Sequence, residues 1–135
     1  MLGELLYEEQ GKTTGIRVLS SDSDGPKIEV SIQTSGKILG IEETSLWTYW
    51  SLVRPGGTLY GEGKGVMTTK DGDVVNCVGQ AVGKPTGSGS AASWRGAVYF
   101  HTSSERLSKL NGIAGVFEYE VDENGNTDAK VWEWK

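Results

Sequence analysis

The chain is poor in the residues that carry most familiar chemistries. It holds one cysteine, Cys77, and one histidine, His101. A lone cysteine excludes an intrachain disulfide, and a lone histidine cannot build a histidine-rich zinc site. There are only 3 prolines, and no apolar run is long enough to cross a bilayer as a helix. No stretch of helix length places apolar residues at 3.6 spacing, so a helical fold is not expected. The 13 Lys and Arg are outnumbered by 18 Asp and Glu, and they form no basic stripe. A nucleic-acid partner is therefore not expected, because phosphate contacts need clustered positive charge. The acidic balance favours solubility. The opening Met1-Leu2-Gly3-Glu4 has no basic stretch leading into an apolar core, so the expectation is a cytoplasmic protein without a secretory signal.

Glycine is abundant instead, at 20 of 135 residues and without a fixed period. Glycine weakens a strand unless the strand must bend sharply or pack backbone on backbone, as barrel corners require. Between the glycines lie nine strand-length segments: Leu2–Gln10, Thr13–Leu19, Lys27–Thr34, Ile41–Arg54, Thr58–Thr69, Asp73–Gly83, Ala91–Thr102, Gly115–Val121 and Thr127–Lys135. Gly11 reads as the break between the first two. Ser20–Pro26 reads as an acidic loop, and Ser103–Leu110 as a short helical turn. Asp71-Gly72 and Asn124-Gly125 are strong hairpin-turn signals. Tight turns between consecutive strands make a meander, and closure removes the two edges that a wide open meander would expose. The expected architecture is one all-β domain over residues 1–135, an antiparallel meander closed into an up-and-down barrel. A curved open sheet or a two-sheet sandwich is the alternative.

Alternation within the strands suggests faces without saying which face is inside. Val74, Val78 and Val82 share one face. So do Trp94, Val98 and Phe100, then Phe117, Tyr119 and Val121, then Trp132 and Trp134. The segment Ile41–Arg54 is apolar on both faces, with Leu46, Trp50 and Leu52 on one and Trp47, Tyr49 and Val53 on the other. A small barrel buries only one face of a strand. The second set, Trp47, Tyr49 and Val53, is therefore expected to form an association surface, with a twofold homodimer first among homo-oligomers; the alternative is that the N-terminal strand or the Ser103–Leu110 turn covers it within one chain.

Glycine-bearing strands in a particular order also suggest kinship. Tyr60-Gly61-Glu62-Gly63-Lys64-Gly65 is followed by Asp71-Gly72-Asp73 and Gly79-Gln80-Ala81-Val82-Gly83. Ser93-Trp94-Arg95-Gly96 then precedes Gly112-Ile113-Ala114-Gly115-Val116-Phe117-Glu118-Tyr119. From about Lys37 to the C-terminus the chain resembles a family of small uncharacterised prokaryotic proteins with an allene-oxide-cyclase-like barrel fold. The resemblance implies an antiparallel barrel and often an oligomer. It does not imply cyclase activity, and no catalytic residue of the plant cyclases is carried over.

Motifs for other chemistries fail on inspection. Gly79–Gly83 followed by Lys84 has three residues between its glycines where a phosphate loop needs four, Pro85 replaces the required Ser or Thr, and no helix follows. Asp22-Ser23-Asp24-Gly25 lacks the closing Glu and flanking helices of a calcium loop. No metal and no cofactor is expected. His101 shares a face with Ser93, Arg95, Ala97 and Tyr99 and is expected at the surface. Cys77 has no basic neighbour to activate it and reads as a small buried hydrophobe.

Glu62 is the carboxylate that draws attention, because it shares a face with Tyr60 while Gly61, Gly63 and Gly65 leave the other face bare. If the glycines face the lumen, they make room for a ligand or a bulky Trp and Glu62 lies outside; this arrangement asks less. If Glu62 and Tyr60 face inward, they give the lumen a carboxyl beside a phenol and become candidate catalytic groups. Trp94, Phe117, Tyr119 and Trp132 are the candidate ligand-contacting aromatics. The expected function is binding of a small hydrophobic molecule in the lumen or mouth. A cofactor-free isomerase or cyclase acting on an apolar substrate is the first alternative, and a structural barrel with a filled lumen is the second.

Overall fold

Side chains alternate inward and outward through eight strands in the computed structural model, which describes residues 1–135. The strands are β1 (Leu2–Asp22), β2 (Gly25–Ile38), β3 (Ile41–Val53), β4 (Leu59–Thr69), β5 (Val74–Pro85), β6 (Ala92–Thr102), β7 (Ala114–Val121) and β8 (Asn126–Trp134). Each pairs antiparallel with the next, and β8 returns to pair with β1, so the meander closes into an up-and-down barrel. The tight turns at Gly72 and Gly125 adopt positive φ, at 92° and 80°. The helical content is a single 3₁₀ turn, Ser108–Gly112. No helix is long and apolar enough to cross a membrane.

The first two expected segments are one strand of 21 residues. Gly11 does not break it: Gly11 pairs with Thr34 of β2 on one side and Thr127 of β8 on the other. A Cβ at Gly11 would collide with the backbone of Gln33 and Thr34. The glycine is there for close approach of coiled strands and not for a turn. The turn comes at the tip of the acidic segment, where Gly25 takes φ 110° and the Asp22 carboxylate accepts from the Asp24 N–H at 3.0 Å. Beyond Thr13, whose N–H donates to the Gly125 carbonyl at 2.8 Å, β1 has only β2 as a neighbour, and this hairpin overhangs one end of the barrel with Ile16 and Val18 exposed.

Volume decides which face of β3 is inside. Trp47 lies opposite Gly65 of β4 and Tyr49 opposite Gly63. The missing side chains on β4 leave the room that these rings occupy, and a Cβ on Gly65 would strike the Trp47 indole. Trp47, Tyr49 and Val53 therefore pack against the interior clusters. The association surface expected on these three residues is corrected accordingly: they fill the barrel, and the outward residues of β3 are Leu46, Thr48 and Trp50. Parity on β5 is likewise the reverse of what its valines suggest. Val74, Val78 and Val82 face solvent, whereas Val75 and Cys77 are buried.

One end of the barrel is plugged by the β6–β7 connection. Leu107 and Leu110 are fully buried there against Leu6, Ile38, Met67 and Val75. The connection is pinned by Asn111, whose carboxamide accepts from the Thr102 N–H at 2.8 Å and donates to the Thr102 carbonyl at 3.0 Å. Arg106 ties it to the β4–β5 turn through Asp71 at 2.8 Å and Asp73 at 2.7 Å. A second cluster, Leu59, Ala92, Trp94 and Val121, closes in from the other end.

Two glycines test the role of backbone approach. A Cβ on Gly36 would collide with the backbone of Glu8 and Glu9, whereas a Cβ on Gly15 meets nothing within 4 Å. Gly36→Ala should destabilise the fold by roughly 2–3 kcal/mol or more, while Gly15→Ala should stay within about 0.5 kcal/mol of the parent. Urea unfolding followed by circular dichroism measures both.

Candidate functional site

Between the two interior clusters lies a cavity of about 100 Å³. Its walls are mainly apolar: Ile32, Trp47, Trp94, Val98, Phe117 and Val131, with Gly61, Gly63 and Gly79 as bare backbone. Tyr7, Glu62 and Gln80 also border it, and two further sets of polar groups interrupt the apolar walls. One is Glu9 with Thr34; the other is the pair of phenols Tyr49 and Tyr119.

The phenols meet across the lumen. Their hydroxyl oxygens are 3.3 Å apart and their rings pack edge to face at 5.8 Å, with Trp94 edge-on to Tyr49 at 6.1 Å. Burial raises the pKa of both hydroxyls, so both stay protonated at neutral pH. Two hydroxyls sharing one hydrogen bond have one spare proton to offer a bound molecule.

Glu9 is 2 % exposed and sits inside a directed network. The Ser45 hydroxyl donates to Glu9 Oε2 at 2.6 Å. Ser45 Oγ in turn accepts from Trp47 Nε1 at 3.1 Å and is hydrogen-bonded to the Thr34 hydroxyl. Since the single Ser45 proton goes to Glu9, Thr34 is the donor to Ser45. The whole chain points at Glu9 and fixes it as an acceptor.

A second buried carboxyl stands beside it. Glu9, Gly36 and Glu43 occupy one register row across β1, β2 and β3. All three positions face inward, and the glycine between the acids has no side chain to keep the carboxyls apart. Glu43 is 4 % exposed, no hydroxyl or backbone N–H donates to its oxygens, and the group it faces is Glu9. Burial first, and then the neighbouring Glu9, raise its pKa from 4.5 to about 9. Glu43 therefore holds its proton at neutral pH. Two groups nearby feel both acids. Burial and the pair of acids push the Cys77 thiol up to about 12 and the Tyr7 hydroxyl above its ordinary range. The Cys77 thiol is thus a poor nucleophile. No three His, Cys, Asp or Glu side chains gather to hold a metal ion.

The carboxylate singled out from the sequence lies elsewhere. Tyr60 and Glu62 do meet, the phenol donating to Glu62 Oε2 at 2.6 Å, but on the outer face of β4. Arg54 stacks over the Tyr60 ring at 4.4 Å, and Trp50 packs beside it at 5.7 Å. Glu62 borders the cavity only because its strand is bare glycine on either side. The lumenal catalytic role for Glu62 and Tyr60 is corrected on this ground. Of the four candidate ligand-contacting aromatics, Trp94, Phe117 and Tyr119 line the cavity. Trp132 does not: Val131 takes the inward position on β8 and is 1 % exposed, which turns Trp132 outward. His101 is exposed on the outer face of β6. Glu9 and Glu43 were not singled out from the sequence. The available signal was parity, since Glu43 shares a face with Trp47 and Tyr49, and Glu9 shares one with Tyr7.

No family model matches the chain, and no curated protein matches it. Solved structures do. A protein of unknown function from Clostridium acetobutylicum superposes with a TM-score of 0.84 at 13% identity, covering 98% of each chain. A β-barrel-like protein from Acinetobacter baumannii gives 0.83 at 16% identity, covering 100% of this chain and 96% of its own. An enzyme from Penicillium herquei gives 0.69 at 16% identity, covering 96% of this chain and 92% of its own. At these identities the likeness shows the barrel fold alone.

Glu43 gives the fold a pH dependence of definite sign. A carboxyl with a raised folded-state pKa stabilises fully below its ordinary range and loses that contribution as pH rises toward about 9. The loss has a slope of up to about 1.4 kcal/mol per pH unit. Glu43→Gln, which cannot ionise, should flatten the decline in unfolding free energy from mildly acidic to alkaline pH, as read by urea titrations across that range. An unchanged slope in the variant would assign the decline to other groups.

Proposed function

We propose that the protein binds a small, mainly apolar molecule inside the barrel. The observation that carries this reading is the cavity itself. The lumen of an eight-stranded barrel is just wide enough for side chains to fill, yet here glycines at Gly61, Gly63 and Gly79 hold back volume beside large aromatics. Apolar walls with a few placed polar groups are the ordinary form of a small-molecule site. The Glu9–Thr34 wall and the Tyr49–Tyr119 pair are the groups that would orient the guest. Trp94, Phe117 and Tyr119 supply its apolar contacts.

Cofactor-free catalysis on the bound molecule is the second reading. It is favoured by the buried carboxyl pair, of which Glu9 lines the cavity, and a barrel of the same fold from Penicillium herquei is an enzyme.

Toluene tests the binding reading without assuming the natural ligand. Saturation-transfer NMR should show toluene bound, and the melting temperature should rise with toluene concentration, as for any ligand of the folded state. Ala129→Leu, which places a larger side chain on the cavity wall, should abolish both effects. Glu62→Gln, on the outer face, should change neither. Binding that survives Ala129→Leu would place the site outside the lumen and overturn the proposal.

A further inference from the structure

We propose that Glu9 is a general base that moves a proton on a bound carbonyl compound, with Glu43 as the residue that positions and charge-balances it. The proposal rests on the interior-binding reading and specifies its chemistry. Glu9 lines the cavity, is nine-tenths buried and more, and is fixed as an acceptor by Ser45, with Thr34 behind it. Glu43 is an equally buried carboxyl to which no hydroxyl or backbone N–H donates, brought against Glu9 by the missing side chain of Gly36. Glu9 terminates a buried hydrogen-bond chain, but that chain gives no reason for a second acid, and Glu43 stands where an apolar side chain could fill the lumen. The Tyr49–Tyr119 pair completes the set with a spare phenolic proton on the same cavity. Carboxylate base, neutral acid beside it and phenol donor are the groups needed to enolise a ketone and return the proton elsewhere.

The step balances without a cofactor. The Glu9 carboxylate takes a proton from the carbon next to the carbonyl, and that C–H bond breaks. Its electron pair forms a carbon–carbon double bond while the carbonyl oxygen gains negative charge, which a phenolic O–H stabilises. The protonated Glu9 then delivers the same proton to the far carbon of a conjugated double bond. A β,γ-unsaturated ketone becomes its α,β-unsaturated isomer, and nothing is oxidised or reduced. The substrate class is a mainly apolar ketone with an activated C–H bond. Glu43 touches no substrate atom in this scheme; its proton faces Glu9 and keeps the pair from carrying two negative charges. The titratable groups facing the pair are Tyr7 of β1 and Cys77 of β5, and both remain protonated over the neutral range.

Cyclohex-3-enone is a suitable probe, among the smallest ketones of this class and read by the ultraviolet absorbance of the conjugated product. Binding is measured separately by saturation-transfer NMR. The intact protein should bind the ketone and accelerate isomerisation over buffer. Glu9→Gln should lower the rate by about 100-fold or more while the ketone still binds. Glu9→Asp, which keeps the charge and withdraws it by one methylene, should retain part of the rate and covers the case in which the Gln variant fails to fold. Glu43→Gln should remove the break in kcat/KM near pH 9 that its ionisation imposes, measured at pH values where circular dichroism shows the parent still folded; a break that persists in the variant under those conditions would refute the role given to Glu43. Ala129→Leu should abolish turnover with both acids intact. Ketone that binds but does not isomerise, or turnover that survives Glu9→Gln, would overturn the proposal and leave the binding reading standing. Absence of both binding and turnover would overturn the two together.

Discussion

Side-chain volume inside an eight-stranded barrel is the constraint from which the rest of this structure follows. Such a barrel has little interior to share. Where two large rings enter from β3, the neighbouring strand must give way, and β4 does so with three inward glycines. The same exchange recurs on β5, where a Cβ on Gly83 would stand 2.8 Å from the Trp94 indole. Rings and glycines thus tile the wall in complementary rows. The cavity is what remains where the tiling is incomplete, beside Gly61, Gly63 and Gly79. Gly36 applies the same rule to polar groups: without a side chain in the middle of the row, two carboxyls separated by a whole strand come together.

This constraint explains which parts of the structure were legible in the sequence. Alternating segments, the Asp-Gly and Asn-Gly turns and the spread of glycine were enough for an antiparallel closed meander, because each is a local signal. Gly11 misled because a glycine that admits a neighbouring backbone looks the same in sequence as a glycine that turns the chain. Strand faces misled for a different reason. Val74, Val78 and Val82 make an apolar row, yet they are exposed, and the inward row of β5 is Val75, Cys77, Gly79, Ala81 and Gly83. A face that must fit beside Trp94 and Phe100 is selected for small size, so most of the bulky valines of β5 stand on the outer face, alternating with Asn76 and Gln80. The same reversal hides Trp47 and Tyr49 inside and turns Trp132 out.

The carboxyl pair was illegible for a related reason. Glu8-Glu9 and Glu42-Glu43 read as charged doublets on solvated strands, and one member of each is solvated. Burial of the other depends on closure, on register and on Gly36, three properties fixed only when strands distant in sequence are assembled. Glu62 attracted attention because its glycine neighbours were local and visible. Those glycines do shape the interior, but for rings on other strands.

Glu43 is where the interior departs from the economy that governs the rest. A neutral carboxyl in an apolar lumen, with only Glu9 to bond to, carries a desolvation cost, about 1–3 kcal/mol by the scale of protein mutations. An aliphatic side chain of similar volume would remove that cost and give up only the hydrogen bond to Glu9. Glu9 could keep its Ser45 donor unaided. The network around Glu9 is therefore complete as structure without Glu43, and becomes incomplete only when Glu9 is asked to gain and lose a proton. A base in an apolar cavity needs a neighbour that limits the charge of the site as that proton moves. The protonated acid across Gly36, whose one partner is Glu9, is placed to do so, and local rules broken with little structural return are characteristic of sites that do chemistry.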